Sequence, residues 1–167
     1  MNAEERASAA RAAGERIADI YRGIFSRAMS NVAICNDRLA VEAVDFQPFG
    51  ALALGIVVTP WFMNVTLAPC GDGALPPALP GAATPVALPA GQVDFTAGEL
   101  DGFGPLWTCS LFSPMDEFAD HAGARATAAA ALEALTAPPP AASPSGRPPI
   151  DRRALLRGGG AVGSKAT

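Results

Sequence analysis

Between Arg38 and Arg125 the chain contains not one lysine or arginine. The same stretch carries nine acids: Glu42, Asp45, Asp72, Asp94, Glu99, Asp101, Asp116, Glu117 and Asp120. Residues 1–38 are balanced at +1 and residues 125–167 at +4, so the total of −4 hides a middle of −9. Nucleic acid is disfavoured as partner for that middle, because phosphate binding needs clustered cations. A basic peptide is favoured. Lysine occurs only at Lys165, which with the abundant alanine reads as compositional bias. Histidine occurs only at His121, and Cys35, Cys70 and Cys109 are far apart with no Cys-x-x-Cys pair. These counts argue against a zinc site or a disulfide framework and for three small apolar side chains in a reducing compartment.

Long apolar runs are also missing. Residues 51–69 come nearest, but Gly55, Thr59, Pro60, Asn64 and Thr66 interrupt them, and a membrane span needs about 20 predominantly apolar residues. Glu4 and Glu5 stand where an export signal would be positive, and no apolar core follows them. The expectation is a cytoplasmic protein without stable membrane insertion.

What is present centres on residues 54–69. Leu52, Leu54, Ile56, Val57 and Val58 predict a strand, and Thr59-Pro60 breaks it, since proline lacks an N–H and restricts its predecessor. Trp61, Phe62 and Met63 then follow beside Asn64. One reading makes this second half a further core-packing strand; the other makes it an apolar groove for a partner chain, to which Trp and Met are suited.

The rest of the chain reads as one α+β domain. Residues 3–30 predict a helix with Ile17, Ile20, Tyr21, Ile24, Ala28 and Met29 on its apolar face; Gly14 predicts fraying before it. Residues 41–49 predict an edge strand ended by Pro48 and joined through Gly50 in a hairpin. Residues 69–91, dense in proline and glycine, predict a loop with at most a short strand near Val86–Leu88. Val93, Phe95 and Ala97 alternate as a half-buried strand, a turn covers 99–102, and residues 106–112 form the last strand. A second helix is expected on Phe118, Ala122, Ala126, Ala129, Leu132 and Leu135, with Asp116 and Glu117 in its first turn. The fold expected is an N-terminal helix, an antiparallel sheet of four to five strands with the helices on one face, a C-terminal helix and a flexible basic tail. In residues, this divides as a 1–137 domain, a 138–149 Pro/Ala-rich linker and a 150–167 tail.

No catalytic constellation stands out. His121 lies among alanines without a local nucleophile, and Cys70-Gly-Asp-Gly lacks the lysine and hydroxyl of a phosphate loop. Asn64-Val-Thr reads as a chance glycosylation sequon. Asp94, Glu99 and Asp101 could imitate an acid–base pair, though strand and turn carboxylates are usually only solvated.

Five blocks carry a resemblance. Val58-Thr-Pro-Trp-Phe-Met-Asn, Leu88-Pro-Ala-Gly-Gln-Val-Asp-Phe, Gly98-Glu-Leu-Asp-Gly, Cys109-Ser-Leu-Phe-Ser-Pro-Met and Asp151-Arg-Arg-Ala-Leu-Leu-Arg-Gly resemble the HybE/HupJ/HoxT family of NiFe-hydrogenase assembly chaperones, in order, from about Ile17 to Gly158. The resemblance implies a non-enzymatic cytoplasmic chaperone of hydrogenase maturation. It would bind the twin-arginine signal peptide of the hydrogenase small-subunit precursor and delay export until cofactors are in place. The large subunit and other maturation proteins are further candidate partners, and no nucleic acid is expected. Some relatives carry an appended rubredoxin domain; this chain lacks its paired cysteines, so no cofactor and no metal are implied. The family supplies no residue-level site. The peptide-binding candidates therefore come from the residues themselves: Trp61, Phe62, Met63 and Asn64 for the apolar part of a ligand, Glu99 and Asp101 for its arginines. The alternatives are a generic peptide-binding scaffold for another maturation factor, or a small enzyme with a Cys/His site.

The tail adds one more candidate. Arg152, Arg153, Leu155 and Leu156, with Arg157, imitate a twin-arginine motif at the wrong end of the chain, with no apolar run behind it. They read either as a solvated basic tail or as a regulatory pseudo-ligand for the acidic domain.

Overall fold

The computed structural model describes residues 2–138. Helix α1 (Ala3–Ile24) runs into a π-helical turn (Phe25–Met29), and six strands follow: β1 (Glu42–Phe49), β2 (Leu52–Val58), β3 (Met63–Pro69), β4 (Ala83–Leu88), β5 (Gly91–Leu100) and β6 (Gly104–Phe112). Helix α2 (His121–Thr136) comes last. The linker and tail expected after residue 138 lie outside the described residues.

α1 starts on a capping box. The Asn2 side chain accepts from Glu5 N–H at 2.8 Å and the Glu5 carboxylate accepts from Asn2 N–H at 3.1 Å. Gly14 does not interrupt it: the helix is continuous, with Ala10, Ala13, Gly14, Ile17 and Ala18 buried. Beyond Ile24 the wider π-helical turn resets the side-chain phase, and Ala28, expected on the apolar face, is exposed.

All strands join one antiparallel sheet in the order β1-β2-β3-β6-β5-β4. The strand beyond the expected four to five is β4, which the proline-rich composition obscured; its Pro85 is tolerated because β4 is an edge. β1 is the other edge. Pro48 does not end its pairing, since Pro48 pairs Ala53 and Phe49 pairs Leu52. The irregularity falls at Asp45, a residue with φ +53° inside a bulge between Val44 and Gln47. The bulge sends Val44 and Phe46 to opposite faces of the sheet.

The helices lie on opposite faces, not on one. Every residue of β2 from Ala53 to Val58 is buried. Leu54, Ile56 and Val58 pack in one cluster with Ala124, Ala128, Leu132 and Leu135 of α2. Ala53 and Val57 pack in the other with Ala10, Ala13 and Ile17 of α1. A run that is apolar without alternation is the mark of a strand covered twice. α2 also corrects its expected start and face. It begins at His121, Asp120 caps it by accepting from Gly123 N–H at 2.8 Å, and Asp116 and Glu117 precede it. Ala122 and Ala126 are exposed.

Candidate functional site

On the α2 side the sheet is covered from β2 across to β5, where Phe95 is fully buried. On the other side α1 packs over β1 and β2. Part of that face of β3, β6, β5 and β4 stays open, and the register shows what it presents. Thr66 pairs Thr108, Thr108 pairs Thr96 and Thr96 pairs Ala83, a row across four strands. One step along, Asn64 pairs Ser110 and Asp94 pairs Pro85. Side chains two residues apart share a face, so Asp94, Thr96, Thr108, Ser110, Asn64 and Thr66 all lie on the α1 side. Asp94, Thr96 and Ser110 are exposed there, Asn64 and Thr108 half-buried. It is a hydroxyl- and amide-bearing floor with a single carboxylate.

An aromatic corner bounds the floor where β3 begins. The buried Thr59 hydroxyl accepts from Trp61 N–H at 3.1 Å and Phe62 N–H at 2.9 Å and donates to Phe62 O at 3.2 Å, fixing the turn between β2 and β3. Trp61 stacks on Phe25 with centroids 6.1 Å apart and planes 10° apart. Tyr21 stands edge-on to Phe62 at 5.2 Å and to Trp61 at 6.2 Å. Burial raises the Tyr21 pKa above its ordinary value, so the phenol stays neutral. Trp61 and Phe62 are half-buried, and Asn36 N–H donates to Pro60 O at 2.8 Å, anchoring a loop that exposes Val32 and Ile34.

Of the residues expected at the site, Trp61, Phe62 and Asn64 gather at this corner. Met63 does not: it is fully buried on the α2 side, because it is the odd member of an alternating strand. Glu99 and Asp101 are exposed at the far end of β5, on the hairpin into β6, where Gly102 lies against Ile20, the neighbour of Tyr21. Asp94 and Glu99 fall on opposite faces, five residues apart or roughly 17 Å, so they form no acid–base pair. Sequence reasoning missed Tyr21 and Phe25 as wall residues, though an aromatic pair at i and i+4 on one helix was a visible signal. It also missed the threonine row, which only the strand register assembles.

A second polar cluster lies between the entry to β1 and the start of α2. Glu42 accepts from Arg125 Nε at 2.9 Å and from the second guanidinium nitrogen, and stands 2.8 Å from His121 Nε2. His121 Nδ1 accepts from Ala40 N–H at 3.2 Å. Burial alone would raise the Glu42 pKa; the hydrogen bonds and charges of Arg125 and His121 outweigh it and bring it below the ordinary value. Cys109 is buried on the α2 side of the sheet, while Cys35 and Cys70 are half-exposed with thiol pKa values raised by burial. Among the described residues no three His, Cys, Asp or Glu side chains gather as a metal set, and no helix is long and apolar enough to cross a membrane.

Residues 12–158 match the family described as NiFe-hydrogenase assembly, chaperone, HybE, a match that continues well past the end of α2. This chain belongs to the HybE family. It is 46% identical over 150 residues to the hydrogenase expression/formation protein HupJ of Bradyrhizobium diazoefficiens, covering 87% of each chain. It is 39% identical to the protein HoxT of Cupriavidus necator, covering 81% of this chain and 82% of that one. The solution structure of HybE from Escherichia coli shares the fold, with a TM-score of 0.61 at 24% identity over 83% of this chain and 87% of that one. In this member of the family the antiparallel sheet lies between two helices, with part of one face left open beside the aromatic corner. HybE proteins are hydrogenase assembly chaperones, which points away from an enzymatic role.

Proposed function

We propose that this protein is a cytoplasmic assembly chaperone that binds the twin-arginine signal peptide of a NiFe-hydrogenase small-subunit precursor and holds the precursor back from export until its cofactors are inserted. The observation that carries the reading is the continuity of an aromatic corner with a polar sheet face that has no cation on any of its strands. Such a ligand has two needs. Its apolar run needs an aromatic contact surface, which Trp61, Phe62, Tyr21 and Phe25 offer. Its arginines need a carboxylate and acceptors, which Asp94 with the threonine row offers on the open face, while Glu99 and Asp101 lie on the hairpin beyond it, next to Arg16, which donates to Gly102 O. An extended peptide also leaves its backbone groups to be satisfied, and hydroxyls and amides on a sheet face can do so.

The test is titration of the full chain with a fluorescent small-subunit signal peptide, against the same peptide with both arginines changed to lysine and against a large-subunit precursor segment. Saturable binding that weakens about tenfold with the lysine peptide is expected, because the ammonium loses the bidentate geometry. Equal affinity for all three ligands would reduce the protein to a general peptide scaffold.

A further inference from the structure

We infer that the chain carries its own competitor for this surface: the segment Asp151–Arg157 docks in cis on the open sheet face beside the aromatic corner. The inference rests on reading that surface as a peptide site, and four observations bear on it. The first is chemistry. Arg152-Arg153-Ala154-Leu155-Leu156-Arg157 is a basic and apolar segment, and the open face offers Asp94 and a hydroxyl row beside an aromatic corner, with no Lys or Arg on any of its strands.

The second is where the described chain ends. Ala90 N–H donates to Leu135 O at 3.2 Å, so α2 finishes beside the turn between β4 and β5. That turn is at the β4 edge, around which the chain need only pass to reach the open face. Asp94 lies four residues along β5 from Ala90, roughly 13 Å.

The third is length. The 14 residue-to-residue steps from Pro138 to Arg152 reach up to about 46 Å at full extension, ample for Asp94 and for the corner beyond it. Tethering over that range keeps the segment at an effective concentration near the millimolar scale, so even a weak contact is populated. The fourth is that the family match includes residues 151–158, as part of the domain family and not an unrelated extension.

The arrangement makes the site self-occluding. Arg152 and Arg153 would face Asp94 and the hydroxyl row, and Leu155 and Leu156 would turn toward the Phe25–Trp61 stack. A hydrogenase precursor would have to displace them, which raises the threshold for weak or incorrect peptides.

The test compares the full chain with the full-length double variant Arg152→Glu, Arg153→Glu, with no external ligand. The readouts are the Trp61 indole resonance and the amide resonances of Asp94, Thr96 and Thr108, with Trp107 and Leu132 as controls from the α2 side. Cis docking predicts shifts at Trp61, Asp94, Thr96 and Thr108 and none at the controls. A synthetic peptide of residues 147–158 added to the double variant should move the same signals back, less so at high salt. Identical spectra for the two proteins would overturn the inference while leaving the proposed function standing. Signal-peptide titration of both proteins then separates the two ideas. If the segment occupies the site most of the time, the variant binds about three- to tenfold tighter. Resonance shifts with no detectable signal-peptide binding in either protein would uphold cis docking and defeat the proposed ligand. Weaker binding by the variant would overturn competition, since the segment would then be part of the binding surface.

Discussion

A Cβ placed on Gly14 of α1 would stand 2.6 Å from Phe46 Cγ of β1. Gly55 of β2 closes on the same ring, with a would-be Cβ 2.3 Å from its Cδ1. The Asp45 bulge turns Phe46 toward α1, and the two glycines make room for it there. Gly14→Ala, which in an exposed helix would stabilise by up to about 1 kcal/mol, should here destabilise by about 1–3 kcal/mol. Urea unfolding measures it. Pairing it with Phe46→Ala should give a clearly non-additive cycle, and a stabilised single variant would show that the ring has room to move.

Thr59→Ala removes the hydroxyl that accepts from Trp61 and Phe62 N–H. The two donors lose that acceptor in a buried turn, so about 1–3 kcal/mol of stability should go. A melting temperature unchanged within a degree would mean that water replaces the hydroxyl.

Trp61 and Met63, two residues apart, should respond oppositely. Met63→Ala empties a fully buried position and should cost about 2–5 kcal/mol of stability with peptide affinity retained in the folded fraction. Trp61→Ala, at a half-buried position, should cost about 2 kcal/mol or more of binding with a smaller loss of stability. Measuring melting and affinity on the same samples decides; a Trp61 variant that melts early yet binds normally removes the aromatic corner from the site.

The carboxylates can be ranked. Asp94→Asn should weaken signal-peptide binding at low salt by about three- to tenfold, because Asp94 lies on the open face itself. Glu99→Gln with Asp101→Asn, on the hairpin, should chiefly slow association and reduce its salt dependence. If the hairpin pair matters more at equilibrium, the peptide runs toward Ile20 and not across the threonine row.

Glu42 sets a pH dependence. Its folded pKa lies below the ordinary 4.5, so its contribution is fully present above that value and is lost as pH falls through the folded pKa. Glu42→Gln should therefore be less stable than the parent at pH 7, by about 1 kcal/mol, with the gap closing as the pH drops below 4.5. The neutral imidazole of His121, accepting from Ala40 N–H through Nδ1, should be the tautomer with its proton on Nε2 facing Glu42, which nitrogen NMR reads directly. A gap that stays constant down to acid pH would mean that Glu42→Gln costs stability through packing alone.

Periodicity and punctuation were enough to place both helices, the β1–β2 hairpin and, within two residues at their ends, the strands read at 92–100 and 106–112, because each depends on local alternation or on residues such as Gly50 and Pro60. The charge void from Arg38 to Arg125 was equally legible, since it is a property of the chain. β4 was only partly legible, because a proline-bearing edge strand is held by its partner and not by propensity. In α2, Leu132 and Leu135 were legible as buried, but alanine all round marks no face, so tertiary packing chose Ala124, Ala128 and Ala131 over Ala122 and Ala126. The site divides in the same way. Trp61, Phe62 and Asn64 could be named from one stretch, but strand alternation moved Met63 to the other face. Tyr21 and Phe25 joined Trp61 only when α1 docked on the sheet. The row Thr66–Thr108–Thr96 exists only because β6 pairs β3 on one side and β5 on the other. Residues distant in sequence become neighbours through long-range backbone pairing and the burial of two apolar faces, and no local pattern encodes which strand will lie beside which.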